Sequence, residues 1–521
     1  MSADLLGGPS VDDSSRPADD GDGRPVGRWA AAAVSVVVAL GVALRVQSPS
    51  ALWLDEAISV SISGLPLGEV EDALRHDGSP PLYAFLLWGW ERVAGDTPTA
   101  VRLLSVLFGV AALPVAAWAG ARLAGRVGGV AALLLFATSP FAVAYSSEAR
   151  MYSLVVLLVL CGFLALDSYL RDPRVARGVL LAVLSAALAL THYWSLFLLA
   201  VVAVGLLVRA RRTRNPADAR AVGWMAAGGL LFLPWLPTFL FQLAHTGTPW
   251  GVPAGFAAVL TTVSYWSGGI GATARTLAVL LLLLAGVGAS ATAASGSRLE
   301  IDLRGRPPGR ALAIVFVGTL VLALGVGRIT GAAFAPRYTS VALPIFLLLA
   351  ALGITRLPRR LGTAVLAVAV VTGMAGALPH AFSAGKTQAP VVAEALKSQA
   401  LPGDFVVYCP DQLGPATSRL LPGSLHQEVY PTGGSPTRVD WVDYAERNSR
   451  ADPVAFAKDV STRAGGGAVW LVSSFGYRTY EGQCEALVEA LTALRGQPLD
   501  LVSGDSSYFE PAEVRGWAPP G

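Results

Sequence analysis

Between residues 28 and 380 the chain repeats one pattern: apolar runs of roughly 16–22 residues, each followed by a short polar loop. Runs of that length are read as membrane spans, which need about 20 helical residues to cross a ~30 Å hydrocarbon layer. The pattern predicts about eleven, at 28–46, 100–121, 127–144, 151–170, 178–191, 195–209, 222–243, 274–293, 311–328, 338–355 and 361–378. Segment 80–95 is short, opens with Pro80-Pro81 and carries Tyr83, Trp88, Trp90, Glu91 and Arg92, so it is expected as a juxtamembrane helix. Residues 1–27 mix aspartate with Ser, Gly and Pro and read as a disordered cytoplasmic tail. Beyond Leu378 the period changes. Short buried-strand runs at 405–408, 467–472 and 499–502 alternate with helical patterns at 389–400, 453–464 and 482–495, predicting a small α/β domain over 381–521.

Composition agrees with a polytopic α-helical membrane protein. Hydrophobic residues make up 53% of the 521 and charged residues 14%, against about 25% charged in a soluble domain. Mean hydropathy is +0.54. A formal net charge of +3 gives no ground for a nucleic-acid partner. The placement of arginine is more informative. Arg122 and Arg126, Arg171, Arg174 and Arg177, the cluster Arg209 to Arg220, the four arginines from Arg298 to Arg310, and Arg356 to Arg360 all fall in loops of one parity. The opposite loops after residue 103 hold only Arg150, Arg275, Arg328 and Arg337. The positive-inside bias then puts the N-terminus inside, the C-terminal domain outside, and a hairpin at 178–209 turning at Thr191-His192-Tyr193-Trp194.

That orientation collects the polar residues on the outer face: Trp53-Leu54-Asp55-Glu56-Ala57, His76-Asp77, Pro80-Pro81-Leu82-Tyr83, the loop from Tyr145 to Tyr152 (YSSEARMY), and Arg337-Tyr338. Carboxylates flush with span ends are costly unless they serve a cavity. Asp55, Glu56 and Glu148 are candidates for base work, and Arg337 for a phosphate contact through its planar fork. Each has a plainer reading: a solvated helix end for Asp55-Glu56, surface charge for Glu148 and Arg150, a snorkelling anchor for Arg337, and a satisfied interfacial histidine for His192. No metal-ligand spacing is visible around His76 or elsewhere. The tract 250–270 reads as an interfacial loop or as a mobile cover.

Taken together and in this order, the motifs resemble the GT-C glycosyltransferases of the protein O-mannosyltransferase and lipid A aminoarabinose-transferase kind, glycosyltransferase family 39, over roughly 28–380. The resemblance implies an inverting enzyme of the plasma membrane. It would move a mannose- or arabinose-like sugar from a polyprenyl-phosphate carrier to an extracytoplasmic glycan, lipid or protein acceptor. It assigns Asp55 to the catalytic first-loop acid with Glu56 beside it, and Glu148 to the second-loop acid. Arg337 becomes a carrier-phosphate contact, and Tyr338, Asp77, Tyr83, His76, Arg150 and Tyr152 line the substrate region. Ser79 stands where relatives often have His before the Pro-Pro pair, and Glu148 where several have Asp. No organic cofactor is implied; a divalent cation shared by the carboxylates stays open. The chemistry is compatible: an acceptor hydroxyl needs a base, and a phosphate leaving group departs without protonation if its charge is stabilised.

One rival is a non-catalytic assembly or ligase-like subunit; the other is a transporter or flippase for a lipid-linked or anionic solute, which would place charge at mid-membrane in broken helices. Here the spans are almost free of charge. Of three cysteines, Cys161 lies inside a span and is expected as an inert buried thiol. Cys409 and Cys484 both fall in the outer domain, where oxidising conditions permit a disulfide; two unrelated free thiols are the alternative.

Overall fold

The computed structural model describes residues 27–519 except 49, 248–250, 252–254, 256, 294–298, 303–306, 332–333 and 383–384. All of the expected tail except Gly27, and Trp250 of the 250–270 tract, lie outside the described residues. The chain folds into two compact units, Met1–Gln47 with Arg102–Pro234 and Pro253–Phe382, and Ser48–Val101 with Trp235–Val252 and Ser383–Gly521.

The first unit is helical. Among the described residues six helices are long and apolar enough to cross a membrane: Arg28–Val46, Pro98–Thr138, Tyr152–Arg171, Ala272–Ser290, Gly309–Thr330 and Arg359–Phe382. Val175–Thr191 and Leu343–Arg356 are apolar but shorter. Pro98–Thr138 covers two of the expected spans, interrupted at Ala124 and Gly125, where Gly125 takes φ +66°. That left-handed value suits glycine, which lacks a clashing Cβ. Two expectations change at prolines. The run expected to span 222–243 is divided into Pro216–Leu230, a 3-10 turn at Leu233–Trp235 and Leu236–His245. Pro234 and Pro237 have no N–H to give to a continuous ladder. The run expected from 338 begins as a 3-10 turn, Pro336–Val341, before the helix Leu343–Arg356.

Lipid is as apolar as leucine, so helices in such a bundle associate by close packing. Ala272–Ser290 and Leu343–Arg356 show how. A Cβ on Gly353 would stand 2.0 Å from the Leu284 carbonyl oxygen, and one on Gly288 2.2 Å from that of Leu349. Trp266, Phe316 and Phe346 fill the neighbouring core with ring centroids 5.1–6.0 Å apart. A two-stranded hairpin, β1 (Ala291–Ala293) with β2 (Leu299–Ile301), joins two helices of this unit. Cys161 is free and half-buried, more open than expected.

The second unit contains the sheet. Strand β3 (Phe405–Cys409) lies between β4 (His426–Val429) and β5 (Val469–Ser473), parallel to both; β7 (Glu513–Trp517) runs antiparallel to β5 and to β6 (Leu499–Val502). The order is β4-β3-β5-β7-β6. Helices Ala389–Gln399, Pro453–Ala464 and Gln483–Arg495 match the predicted helical patterns. β4 and β7 were not anticipated. Cys409 and Cys484 form the disulfide, with Cα atoms 5.6 Å apart. Three helices that follow the first apolar run, Leu54–Ser63, Leu67–Asp77 and Pro81–Ala94, belong to this unit rather than to the bundle. Pro81–Ala94 has 14 residues, too few to span, as its sequence predicts. Ser63 Oγ ties it to Leu54–Ser63 by donating to Glu91 at 2.7 Å, and burial pushes the Glu91 carboxyl up to about 7.

Candidate functional site

The sequence-derived candidates divide between the units, and each group has its own geometry. In the second unit Trp53 is the residue before the helix Leu54–Ser63, so Asp55 and Glu56 sit in its first turn. Unpaired backbone N–H groups and the helix dipole favour negative charge there. The two carboxylates differ in setting. Glu56 is fully buried and turns back toward the Trp53 N–H at 3.5 Å, a capping arrangement. Asp55 is half-exposed. Ser59 Oγ donates to the Asp55 backbone carbonyl at 2.8 Å and leaves its carboxylate to other partners.

A third carboxylate, which sequence reading did not pick out, joins them from the far end of the chain. Glu510 accepts a hydrogen bond from the Leu54 N–H at 3.0 Å. It is 5% exposed, and burial, with the Asp55 charge adding to it, pushes its carboxyl up to about 8. Phe509 packs edge-on against Trp53 at 5.7 Å, and the Lys386 ammonium lies 4.4 Å from the Trp53 ring centre.

The 76–83 motif is held by the same unit. His76 Nδ1 pairs with Asp440 at 2.9 Å, and Arg447 reaches the same carboxylate at 3.1 Å. Asp77 accepts from Ser79 Oγ. Gly78 closes the helix at φ +83°, where a Cβ would meet Thr246 Oγ1 at 2.8 Å. Gln242 donates to the carbonyls of Leu74 and Ser79 at 2.7 and 3.2 Å. Tyr83 is buried.

In the first unit Ser139 caps the short helix Pro140–Ser146, and the chain then turns tightly, the Arg150 N–H donating to the Glu148 carbonyl at 2.7 Å. Ser105 Oγ holds the Arg150 carbonyl at 3.0 Å. Glu148 is 5% exposed and Tyr152 fully buried. Tyr338 is set by the 3-10 turn, which Trp266 pins by donating to Thr339 Oγ1 at 2.9 Å. His192 lies between these segments, its ring 5.9 Å from Tyr152 and 5.6 Å from Tyr338. Arg337 stands 5.7 Å from the Tyr338 ring centre.

His192, expected as a satisfied interfacial histidine, is buried and hydrogen-bonded. Burial, then the charges of Arg150 and of Arg337, lower its pKa to about 3, so the imidazole is neutral at any physiological pH. Its Nδ1 accepts from the Trp194 N–H at 3.2 Å, which leaves the hydrogen on Nε2. The cluster thus offers two guanidinium groups and a neutral N–H donor, a set suited to a phosphate. Beside it a cavity of about 10 Å³ is lined by Arg45, Gly109, Phe141, Tyr145, Tyr152 and Ser153, room for about one water molecule. The buried Arg45 guanidinium donates to the carbonyls of Gly41, Phe136 and Ala137 at 2.6–2.8 Å and ties the end of its helix to the next.

Comparison with known proteins extends this picture. A family model described as dolichyl-phosphate-mannose-protein mannosyltransferase matches residues 78–241. ArnT from Cupriavidus metallidurans in the apo state superposes with a TM-score of 0.61 at 13% identity, covering 94% of this chain and 97% of that one. The same protein bound to undecaprenyl phosphate gives 0.60 at 14% identity, with 94% and 98% covered. An Archaeoglobus fulgidus oligosaccharyltransferase tethered to an acceptor peptide gives 0.50 at 11%, with 85% and 69% covered. No curated protein matches the sequence. The chain has the GT-C glycosyltransferase fold. The resemblance seen in the motifs is therefore matched by the fold over 94% of the chain. Among the described residues no group of three or more His, Cys, Asp or Glu is arranged to hold a metal ion.

Proposed function

We propose that this GT-C protein transfers a mannose- or arabinose-like sugar from a polyprenyl-phosphate carrier to an acceptor glycan, lipid or protein outside the plasma membrane, with inversion. The observation that carries the reading is the Arg150–His192–Arg337 cluster in a fold shared with ArnT bound to undecaprenyl phosphate. In this reading the guanidinium groups and the His192 N–H take the charge that develops on the departing phosphate. Tyr152 and Tyr338 wall that region. Asp55 is the better candidate for the base, because it is half-exposed while Glu56 is buried as a cap. Glu148 orients acceptor or donor, and Asp77, His76, Tyr83 and Tyr152 contribute to substrate binding. The arginine distribution supports about eleven spans with the N-terminus inside.

Asp55→Asn keeps shape and hydrogen bonding but not basicity. Turnover with a polyprenyl-phosphate sugar should fall roughly 10²–10⁴-fold with expression unchanged; wild-type turnover in both Asp55→Asn and Glu56→Gln ends the carboxylate-base reading. Mass spectrometry of envelope glycans and carrier lipids, with and without the gene, identifies the sugar and acceptor. A cysteine introduced in 296–310 should be labelled only from the cytoplasm; labelling from outside reverses the topology.

A further inference from the structure

The Glu510 carboxylate is the feature that the reading above does not use. It lies near the C-terminus, 456 positions from the residue it holds. We propose that Glu510 is a positioning residue for Asp55, clamping the turn that carries the base from the C-terminal part of the chain. The inference rests on Asp55 being that base.

The geometry is specific. The Leu54 N–H is one of the free donors at the start of its helix, and Glu510 Oε1 fills it at 3.0 Å. Glu510 is itself fixed from both sides: its N–H donates to the Lys386 carbonyl at 2.8 Å, and its carbonyl accepts from the Gln388 N–H at 3.1 Å. Phe509 and Lys386 bracket Trp53, the residue before the turn. A carboxylate donated by the sheet-bearing part therefore sets where the Asp55 backbone starts, and a displacement of about 1 Å at a reacting group costs up to about 10²-fold in rate.

The groups facing the Glu510 carboxyl are the Asp55 carboxylate, the Lys386 ammonium, the Tyr477 phenol and the Thr387 hydroxyl. With its pKa pushed up to about 8, Glu510 is neutral at lower pH and adds no second negative charge beside Asp55. As pH rises through about 8 Glu510 ionises, and the two carboxylates repel across the turn.

The test compares Glu510→Gln and Glu510→Ala in the full-length protein, with Asp55→Asn as the control for the underlying reading. The wild type should lose kcat as pH rises through about 8. Glu510→Gln keeps an acceptor oxygen for Leu54 but cannot ionise, so it should hold near-wild-type kcat at neutral pH without the alkaline loss. Glu510→Ala should lose roughly 10–100-fold in kcat at every pH, with the KM for donor little changed. A second readout needs no activity. The folded pKa lies above the unfolded value, so the stability Glu510 lends is fully present below about 4.3 and lost as pH rises through the folded pKa. The thermal midpoint of the wild type should fall over that range, and that of Glu510→Gln should fall less. An unchanged alkaline limb in Glu510→Gln, or wild-type kcat in Glu510→Ala, overturns the inference. An active Asp55→Asn overturns the base reading instead. If Glu510→Ala does not fold, the Glu510→Gln profile still decides.

Discussion

Two sets of turns in the helical unit use arginine in opposite ways. At 122–126, 171–177 and 209–218 each arginine cluster meets an aspartate. Asp167 binds Arg122 at 2.7 Å and Arg171 at 3.0 Å, Asp172 binds Arg174 at 2.6 Å and Arg177 at 3.0 Å, and Arg209 pairs with the buried Asp218. At 147–152, 191–194 and 336–341, burial among aromatic rings depresses the pKa of an imidazole, and the charges of Arg150 and Arg337 depress it further. In the first set aspartates pair with arginines within the fold, and the Arg122–Asp167 and Arg209–Asp218 pairs tie helices together. The second acts together with burial on an imidazole among aromatic rings, and strongly shifted groups of this kind cluster at functional sites.

The sharpest way to break this contrast is to change the second set. Arg337→Ala should lose roughly 10²-fold in donor use, as for loss of a group that stabilises developing charge. Arg337→Lys keeps charge without the bidentate fork and should fall between. Equal donor affinity in all three proteins would reduce Arg337 to an interfacial anchor. In the first set the effect should move from activity to stability. Asp218→Ala leaves the Arg209 charge with no partner in a site where the acid was fully buried, and should cost about 3–5 kcal/mol. Thermal unfolding in detergent and activity per folded molecule separate the two; lost activity in well-folded Asp218→Ala protein would erase the distinction. His192→Phe should reduce turnover roughly tenfold or more by removing one neutral donor. The wild-type rate should show no inflection near pH 6.5 from this histidine, since it loses its proton far below. The smallest effect belongs to the exposed Arg174: Arg174→Ala should change stability by less than about 1 kcal/mol and activity not at all.

Much of this was legible in the chain itself. A ~20-residue apolar period is a strong local signal, and it located most helices to within a few residues. The C-terminal strands β3 and β5 were visible because buried strands are unbroken apolar runs, whereas β6, expected as buried, carries Asp500 and is half-exposed to exposed along its length. β4 (His426–Val429) was not visible, since its residues read as polar and only two of its four positions are buried. The breaks at Ala124–Gly125 and Pro234 were readable in principle, because each carries Gly or Pro, yet the apolar average around them conceals the interruption.

What the sequence by itself determined was what short-range chemistry determines: the helical class, the strand-helix alternation of the last part, and the acidic and aromatic motifs at the ends of the apolar runs. Three things needed the tertiary structure. His192 had to be brought to Arg150 and Arg337 before its neutrality meant anything. Cys409 and Cys484 had to come within 5.6 Å. Glu510 had to cross 456 positions to reach the Leu54 N–H. The reason is the same in each case. Field, burial and hydrogen-bond partner are properties of a point in space, and residues far apart in sequence share such a point only after the chain has folded.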